Sequence, residues 1–177
     1  MNDAPEQRPR LKIADALDLA PAPERAQVTL PDHVGHYIGG SLVPGRDEDR
    51  FDNVDPATEA VLNTVATANE AEVGRAVKAA RKAADGVWGQ MSGADRGKYL
   101  YRIARRIQEK GRELAILETR DNGKPIRETR DFDVPTAAAH FFYYAGWADK
   151  LDYVMPGRRG RPVGVCGQVI PWNFPLL

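Results

Sequence analysis

At Asn69 the hydrophobic pattern of this chain changes period, and the two halves of that change call for different secondary structure. Upstream, His36-Tyr37-Ile38 and Ser41-Leu42-Val43 flank Gly39-Gly40, a pair that tolerates the positive φ of a primed turn and so predicts a β-hairpin. Phe51 to Val54 and Val61 to Ala66 predict a second strand pair around Asp55-Pro56-Ala57-Thr58. There Asp opens a type I turn and Pro fixes the next φ. Together these segments predict one small antiparallel sheet.

Downstream of Asn69, Val73, Ala76, Val77, Ala80 and Ala84 recur at helical spacing, and Asn69 with Glu72 can form a capping box. That helix ends near Asp85-Gly86. Ser92 with Asp95 opens a second, whose stripe of Leu100, Ile103, Ala104 and Ile107 runs to a stop at Gly111. A third carries Leu114 and Leu117 and stops at Asn122-Gly123, with Pro125 beyond. A fourth starts at Asp133 or Val134 with Pro135 in its first turn. Its face of Ala138, Phe141, Phe142, Ala145 and Ala148 is rich enough in aromatic groups to predict deep burial.

From Pro162, the run Val163 to Ile170 reads as a buried strand with close backbone approaches at Gly164 and Gly167, followed by Pro171-Trp172-Asn173-Phe174-Pro175. The fold class is therefore α/β: a small antiparallel β-sheet, helices, and the first strand of a further, incomplete sheet. A buried strand of that kind leads into a crossover helix, which the 177 residues do not contain, so the sequence is expected to be a portion of a longer fold. Three segments are expected: a flexible arm over 1–35, hairpins and helices over 36–161, and the start of a second domain over 162–177. The arm holds Pro5, Pro9, Pro21, Pro23 and Pro31, with a weak helix at Leu11 to Leu19 that needs a surface to dock on.

Charge narrows the function classes. Twenty-five Lys and Arg balance 25 Asp and Glu, so no global field draws the chain to nucleic acid or to an anionic membrane. The middle, residues 69–130, carries 15 basic against nine acidic side chains. They interleave with core stripes and lack an aromatic stacking platform, so they read as solvated helix faces. Arg158, Arg159 and Arg161 read as a solvated turn beside Gly157 and Gly160. One cysteine allows no internal disulfide and the three histidines show no zinc-ligand spacing, so no metal is expected and the compartment is expected to be reducing, that is, cytoplasmic. No run approaches the ~18 apolar residues of a membrane helix.

The segment Pro162 to Leu177, with its Pro-Trp-Asn-Phe-Pro core, resembles the strand and loop that lead into the cofactor domain of the aldehyde dehydrogenase superfamily. Leu117-Glu118-Thr119-Arg120-Asp121-Asn122-Gly123-Lys124-Pro125 and Tyr143-Tyr144-Ala145-Gly146-Trp147-Ala148-Asp149-Lys150 resemble two further signatures of that family. Tyr37-Ile38-Gly39-Gly40 and Asn53-Val54-Asp55-Pro56-Ala57-Thr58 are similar to its opening hairpin and turn. The resemblance spans about residues 36–177 in the family's order. It implies a truncated aldehyde dehydrogenase-like fold with a Rossmann-like cofactor domain, oxidation of aldehydes to carboxylic acids with NAD or NADP, and assembly as a homo-oligomer or with a family subunit. The alternative it leaves open is a non-catalytic fragment that binds such a subunit or the missing downstream half. Only eleven residues separate Lys150 from Pro162, fewer than the family's pattern for the first strand of its oligomerisation arm.

The resemblance also assigns roles. Asn173 would donate its amide to the oxyanion formed when cysteine attacks the aldehyde. Ile170, Pro171 and Trp172 would line the nicotinamide-ribose side of the cofactor, and Val134, Phe174 and Leu177 the substrate tunnel. The family's nucleophile and general-base motifs are not found in the 177 residues, so the chain alone is expected to be inactive. Cys166 is not at the nucleophile's position. Its neighbours predict a buried strand thiol with no cationic group to lower its pKa. Glu118 is expected to be structural, and His140 a packing or surface residue.

Overall fold

A computed structural model describes residues 28–46, 48–157 and 160–177. The short strands come first. β1 (His33–Val34) is followed by the hairpin of β2 (His36–Ile38) and β3 (Ser41–Val43), which pairs Tyr37 with Leu42. Gly39 and Gly40 take φ of 63° and 88°, the primed turn that the sequence predicts. β4 (Arg50–Val54) and β5 (Val61–Ala66) form the second antiparallel pair, with a register shift at Asn53/Val54. Between them Asp55 Oδ1 accepts from the Ala57 and Thr58 amides at 2.8 and 3.3 Å, the local bonding for which an Asp-Pro turn is suited.

The strands do not form one antiparallel sheet. β2 and β3 stand alone as a two-stranded ribbon, while β1, β5 and β4 make a separate sheet in that order, with β1 parallel to β5. Residues 33–34, placed by the sequence in a flexible arm, are thus ordered by backbone pairing. The remainder of that arm up to residue 27, including the weak helix at 11–19, lies outside the described residues.

The helices begin where the period changes. α1 (Glu70–Asp85) has the predicted capping box, with Asn69 accepting from Glu72 N–H and Glu72 accepting from Asn69 N–H, both at 3.0 Å. After the single turn α2 (Val87–Gln90), α3 (Gly93–Glu109) is capped by Ser92 as predicted. It ends at Lys110, and Gly111 opens α4 (Gly111–Asn122) instead of marking a gap. α4 closes on Gly123 in the left-handed conformation, φ 76°. The last long helix starts at Val134 with Pro135 in its first turn, as the sequence predicts, and a helical run leads into it. The short α5 (Ile126–Glu128) runs through a π turn over Thr129–Asp133 into α6 (Val134–Trp147). A final turn, α7 (Leu151–Val154), occupies the eleven-residue stretch before Pro162.

Small side chains let α3 and α6 approach closely: Ala104 is fully buried, Ala138 and Ala145 nearly so, and a Cβ on Gly97 would lie 3.0 Å from the Ala145 carbonyl. The core gathers Ile107, Ala115, Val134 and Ala138, with Leu114, Ile126, Phe141 and Leu176 packed against them. The predicted stripes are only partly used. Val73 and Val77 of α1 and Ile103 of α3 are exposed, and on the predicted face of α6 Ala138 and Ala145 are buried while Phe141 and Phe142 are only half-buried.

Residues 162–170 form no strand, and Val163 and Val169 are almost fully exposed. Among the described residues no neighbouring strand is present to satisfy their backbone groups or cover their side chains, and a parallel-sheet strand needs both. Cys166 is accordingly exposed, not buried. Among the described residues no helix is long and apolar enough to cross a membrane.

Candidate functional site

Asn173 sits in a turn whose Phe174 N–H meets the Pro171 carbonyl at 3.4 Å. The turn is held from outside itself. Lys124 Nζ donates to the Asn173 carbonyl at 2.9 Å and lies 3.8 Å from the centre of the Phe174 ring, so one ammonium engages both residues. Asn173 and Phe174 are half-buried as a result, and Leu176 just beyond packs onto the core. The Asn173 side-chain amide makes no hydrogen bond among the described residues.

Local sequence explains why Lys124 reaches this place. Gly123 terminates α4 with positive φ, and Asn122 Oδ1 accepts from Lys124 N–H at 2.8 Å, so the chain turns sharply and aims Lys124 across the helix end. The same turn meets the first half of the fold, since a Cβ on Gly123 would lie 3.2 Å from Pro56 Cβ. Asn53 Nδ2 also donates to Asp121 Oδ1 at 2.9 Å, tying β4 to α4.

Lys124 is in turn ion-paired with Asp133, whose side chain is completely buried at the end of the π turn. A buried carboxylate is tolerated only with partners, and Lys124 supplies one. Glu118, 5% exposed, lies beside Asp133 as a second buried carboxyl. Burial, reinforced by the neighbouring Asp133 carboxyl, pushes the Glu118 carboxyl up to about 7. Both Glu118 carboxyl oxygens and Asp133 Oδ1 are buried without a hydrogen-bond partner among the described residues, and a proton on Glu118 would let it donate to Asp133. The cluster is thus a chain of contacts from Glu118 through Asp133 and Lys124 to the backbone of Asn173.

Thr129 fixes the π turn that presents Asp133. Its hydroxyl, completely buried, lies 3.0 Å from each of the Ala115 carbonyl, the Ile126 carbonyl and Thr119 Oγ1. A π turn carries an extra residue relative to the α-helix and is a recurrent feature of functional sites.

The residues singled out from the sequence are only partly brought together. Ile170, Pro171 and Trp172 form an exposed apolar shelf, with Trp172 82% accessible. Phe174 is under Lys124, and Leu177 is at the edge of exposure. Val134 does not stand on an open wall; it is 3% exposed within the core cluster against which Leu176 of the loop packs. His140 is a surface residue. The sequence offers Lys124 only within a family-like signature and Asp133 only as a possible helix start, neither as a site residue, although Asn122-Gly123-Lys124-Pro125 marks the turn itself. Beside the cluster, a largely apolar cavity of about 360 Å³ is lined by Leu62, Val65, Leu117, Glu118, Pro175 and Leu176 among others. No group of three or more His, Cys, Asp or Glu side chains could hold a metal ion among the described residues.

Residues 42–177 match the model of the Aldehyde dehydrogenase family. The chain is 42% identical over 154 residues to aldehyde dehydrogenase family 2 member B4, mitochondrial, of Arabidopsis thaliana, across 82% of this chain and 29% of that protein. It is 39% identical over 166 residues to an acetaldehyde dehydrogenase of Pseudomonas aeruginosa, across 89% and 33%. Its fold superposes on a solved NAD+ complex of an aldehyde dehydrogenase from Bacillus cereus with a TM-score of 0.75 at 39% identity, over 81% of this chain and 31% of that one. The chain spans about a third of the length of the relatives it matches.

Proposed function

The chain belongs to the aldehyde dehydrogenase family, and from that premise we propose that it is the N-terminal portion of an oxidoreductase that converts aldehydes to carboxylic acids with NAD or NADP. The observation that carries the reading is the Asn173 turn, whose backbone is tied to Lys124 while its amide makes no hydrogen bond among the described residues. A neutral NH₂ donor on an anchored backbone suits an oxyanion: it donates without bringing a competing charge, and it needs little reorganisation as charge develops. Phe174 and Leu177 offer apolar surface for the hydrocarbon part of the aldehyde.

The nicotinamide, when bound, supplies the hydride acceptor. Ile170, Pro171 and Trp172 suit one face of such a planar ring, because three consecutive residues there expose apolar side chains. Residues 162–177 contain no helix, so they present no helix N-terminus to the cofactor's phosphates. This segment therefore contributes an edge of the site. Cys166 is the chain's single thiol, and the reading leaves the nucleophile to sequence beyond these 177 residues. The 177 residues alone are then inactive, and a reducing cytoplasm suits a chain with one thiol.

A second reading, a fragment that binds a family subunit or the downstream half, draws on the apolar surface at Val163, Val169 and Trp172, each more than 80% exposed. An assay separates the two. Joined to a downstream portion that carries the nucleophile and base, Asn173→Ala is expected to lower kcat about 10²–10³-fold, the usual cost of one oxyanion donor. Asn173→Asp, which keeps the shape but faces the oxyanion with a carboxylate, is expected to lose at least as much. Near-normal acylation in the Asp variant would remove Asn173 from the reaction.

A further inference from the structure

We infer that Lys124 is a positioning residue, anchored on Asp133, that fixes the Pro-Trp-Asn turn in the place from which the Asn173 amide can act. For its consequence in catalysis the inference rests on the function proposed above; for its geometry it does not.

Three observations converge on it. The Lys124 ammonium donates to the Asn173 carbonyl at 2.9 Å, a bond to backbone that is indifferent to the turn's side chains and so fixes its path. The same group stands 3.8 Å over Phe174, gripping the next residue through its ring. Lys124 itself cannot swing away cheaply, because its partner Asp133 is completely buried and would be left as an uncompensated charge. Residues 162–177 form no strand, so this contact and the packing of Leu176 take a share of the tethering that a strand would supply. Arg could retain the charge at position 124. Met could fill the same space with neither donor nor charge.

Two measurements test the inference. In the 177-residue chain, NMR follows hydrogen exchange at the Phe174 amide and the ring shifts of Phe174 in wild type, Lys124→Arg and Lys124→Met. Met is expected to speed exchange about tenfold or more, the effect of losing a charge-assisted bond, and Arg to restore most of the protection. In the chain joined to a downstream catalytic portion, Met is expected to lower kcat about 10²-fold with KM little changed, as a misplacement of the donor should. Again Arg is expected to recover most of the loss. A lowered melting temperature with unchanged exchange and unchanged kcat in Lys124→Met would overturn the inference, and a damaging Asn173→Ala in the same series would leave the oxyanion reading intact. Faster exchange in Lys124→Met alongside a harmless Asn173→Ala would give the opposite result: Lys124 anchors the turn and the oxyanion reading falls.

Discussion

Glu118 and Asp133 bring two carboxyl groups together in the interior beside a single lysine, and Lys124 closes only the Asp133 side. Burial beside Asp133 raises the proton affinity of Glu118, so the pair favours a proton on that carboxyl near neutral pH. Ionising Glu118 would add a second negative charge near Lys124. Asp121 adds further negative charge nearby and Lys124 opposes it.

The first prediction is a stability slope with pH. The Glu118 carboxyl rises from 4.5 to about 7 on folding, so between those values the folded chain holds a proton that the unfolded chain has released. Stability from this group therefore falls as pH climbs through that window and levels off above 7, where both states are ionised. Glu118→Gln retains a donor for Asp133 and removes the titration. Urea unfolding at pH 5, 6, 7 and 8 should show this fall in the wild type and its loss in the variant. Identical slopes in the two proteins would place the proton elsewhere.

The second concerns the turn that aims Lys124. Gly123 has φ 76°, and a Cβ there would also press on Pro56 at 3.2 Å. Gly123→Ala should cost about 1–2 kcal/mol for the left-handed conformation alone, with more if Pro56 cannot yield. Thermal unfolding measures the loss. A variant as stable as wild type would mean that the turn relaxes without strain.

What could be read from sequence was what depends on near neighbours. The Asn69 and Ser92 caps, the Gly39-Gly40 turn and the Gly123 stop are each decided within a few residues, and all four are observed. Asn173 and its turn were legible through resemblance, in a motif of five contiguous residues. Lys124 and Asp133 were not, because eight residues, with a short helix and a π turn, lie between them, and no periodicity brings that pair together. Val163 to Ile170 misled for another reason: an apolar run is a strand only if other strands cover it, and the residues described here supply none. The exposed valines of α1 carry the same lesson, since a helical stripe shows which face can be buried but not what buries it.

The third prediction follows from the exposed segment. Cys166 lies on the surface, its thiol 3.7 Å from the Gly164 carbonyl, so a thiol reagent should modify it in the native chain at a rate close to that of the unfolded chain. Amides across 163–170 should exchange without protection. Slow labelling, relieved only by denaturant, would mean that this segment is covered in solution, and sedimentation would then show whether a second copy covers it.

The last prediction tests whether the π turn is held by its hydroxyl. Thr129 is completely buried, and its Oγ1 lies 3.0 Å from two carbonyls and from the Thr119 hydroxyl, so several helical segments converge on one atom. Thr129→Val keeps the branched shape and removes that atom, leaving Thr119 without this partner. A cost of about 1–3 kcal/mol is expected, the range for a buried polar group left unsatisfied. Thr129→Ser keeps the hydroxyl and loses a methyl group, which should cost about 1 kcal/mol from burial alone. If packing were what mattered, the order would reverse, with Ser the worse of the two. Denaturant unfolding of both variants decides between these orders, provided the dependence on denaturant is unchanged. The Val variant should also loosen Asp133 and, through Lys124, speed exchange at the Phe174 amide; a destabilised Val variant with an unmoved Phe174 would show that the π turn and the Asn173 tether are independent.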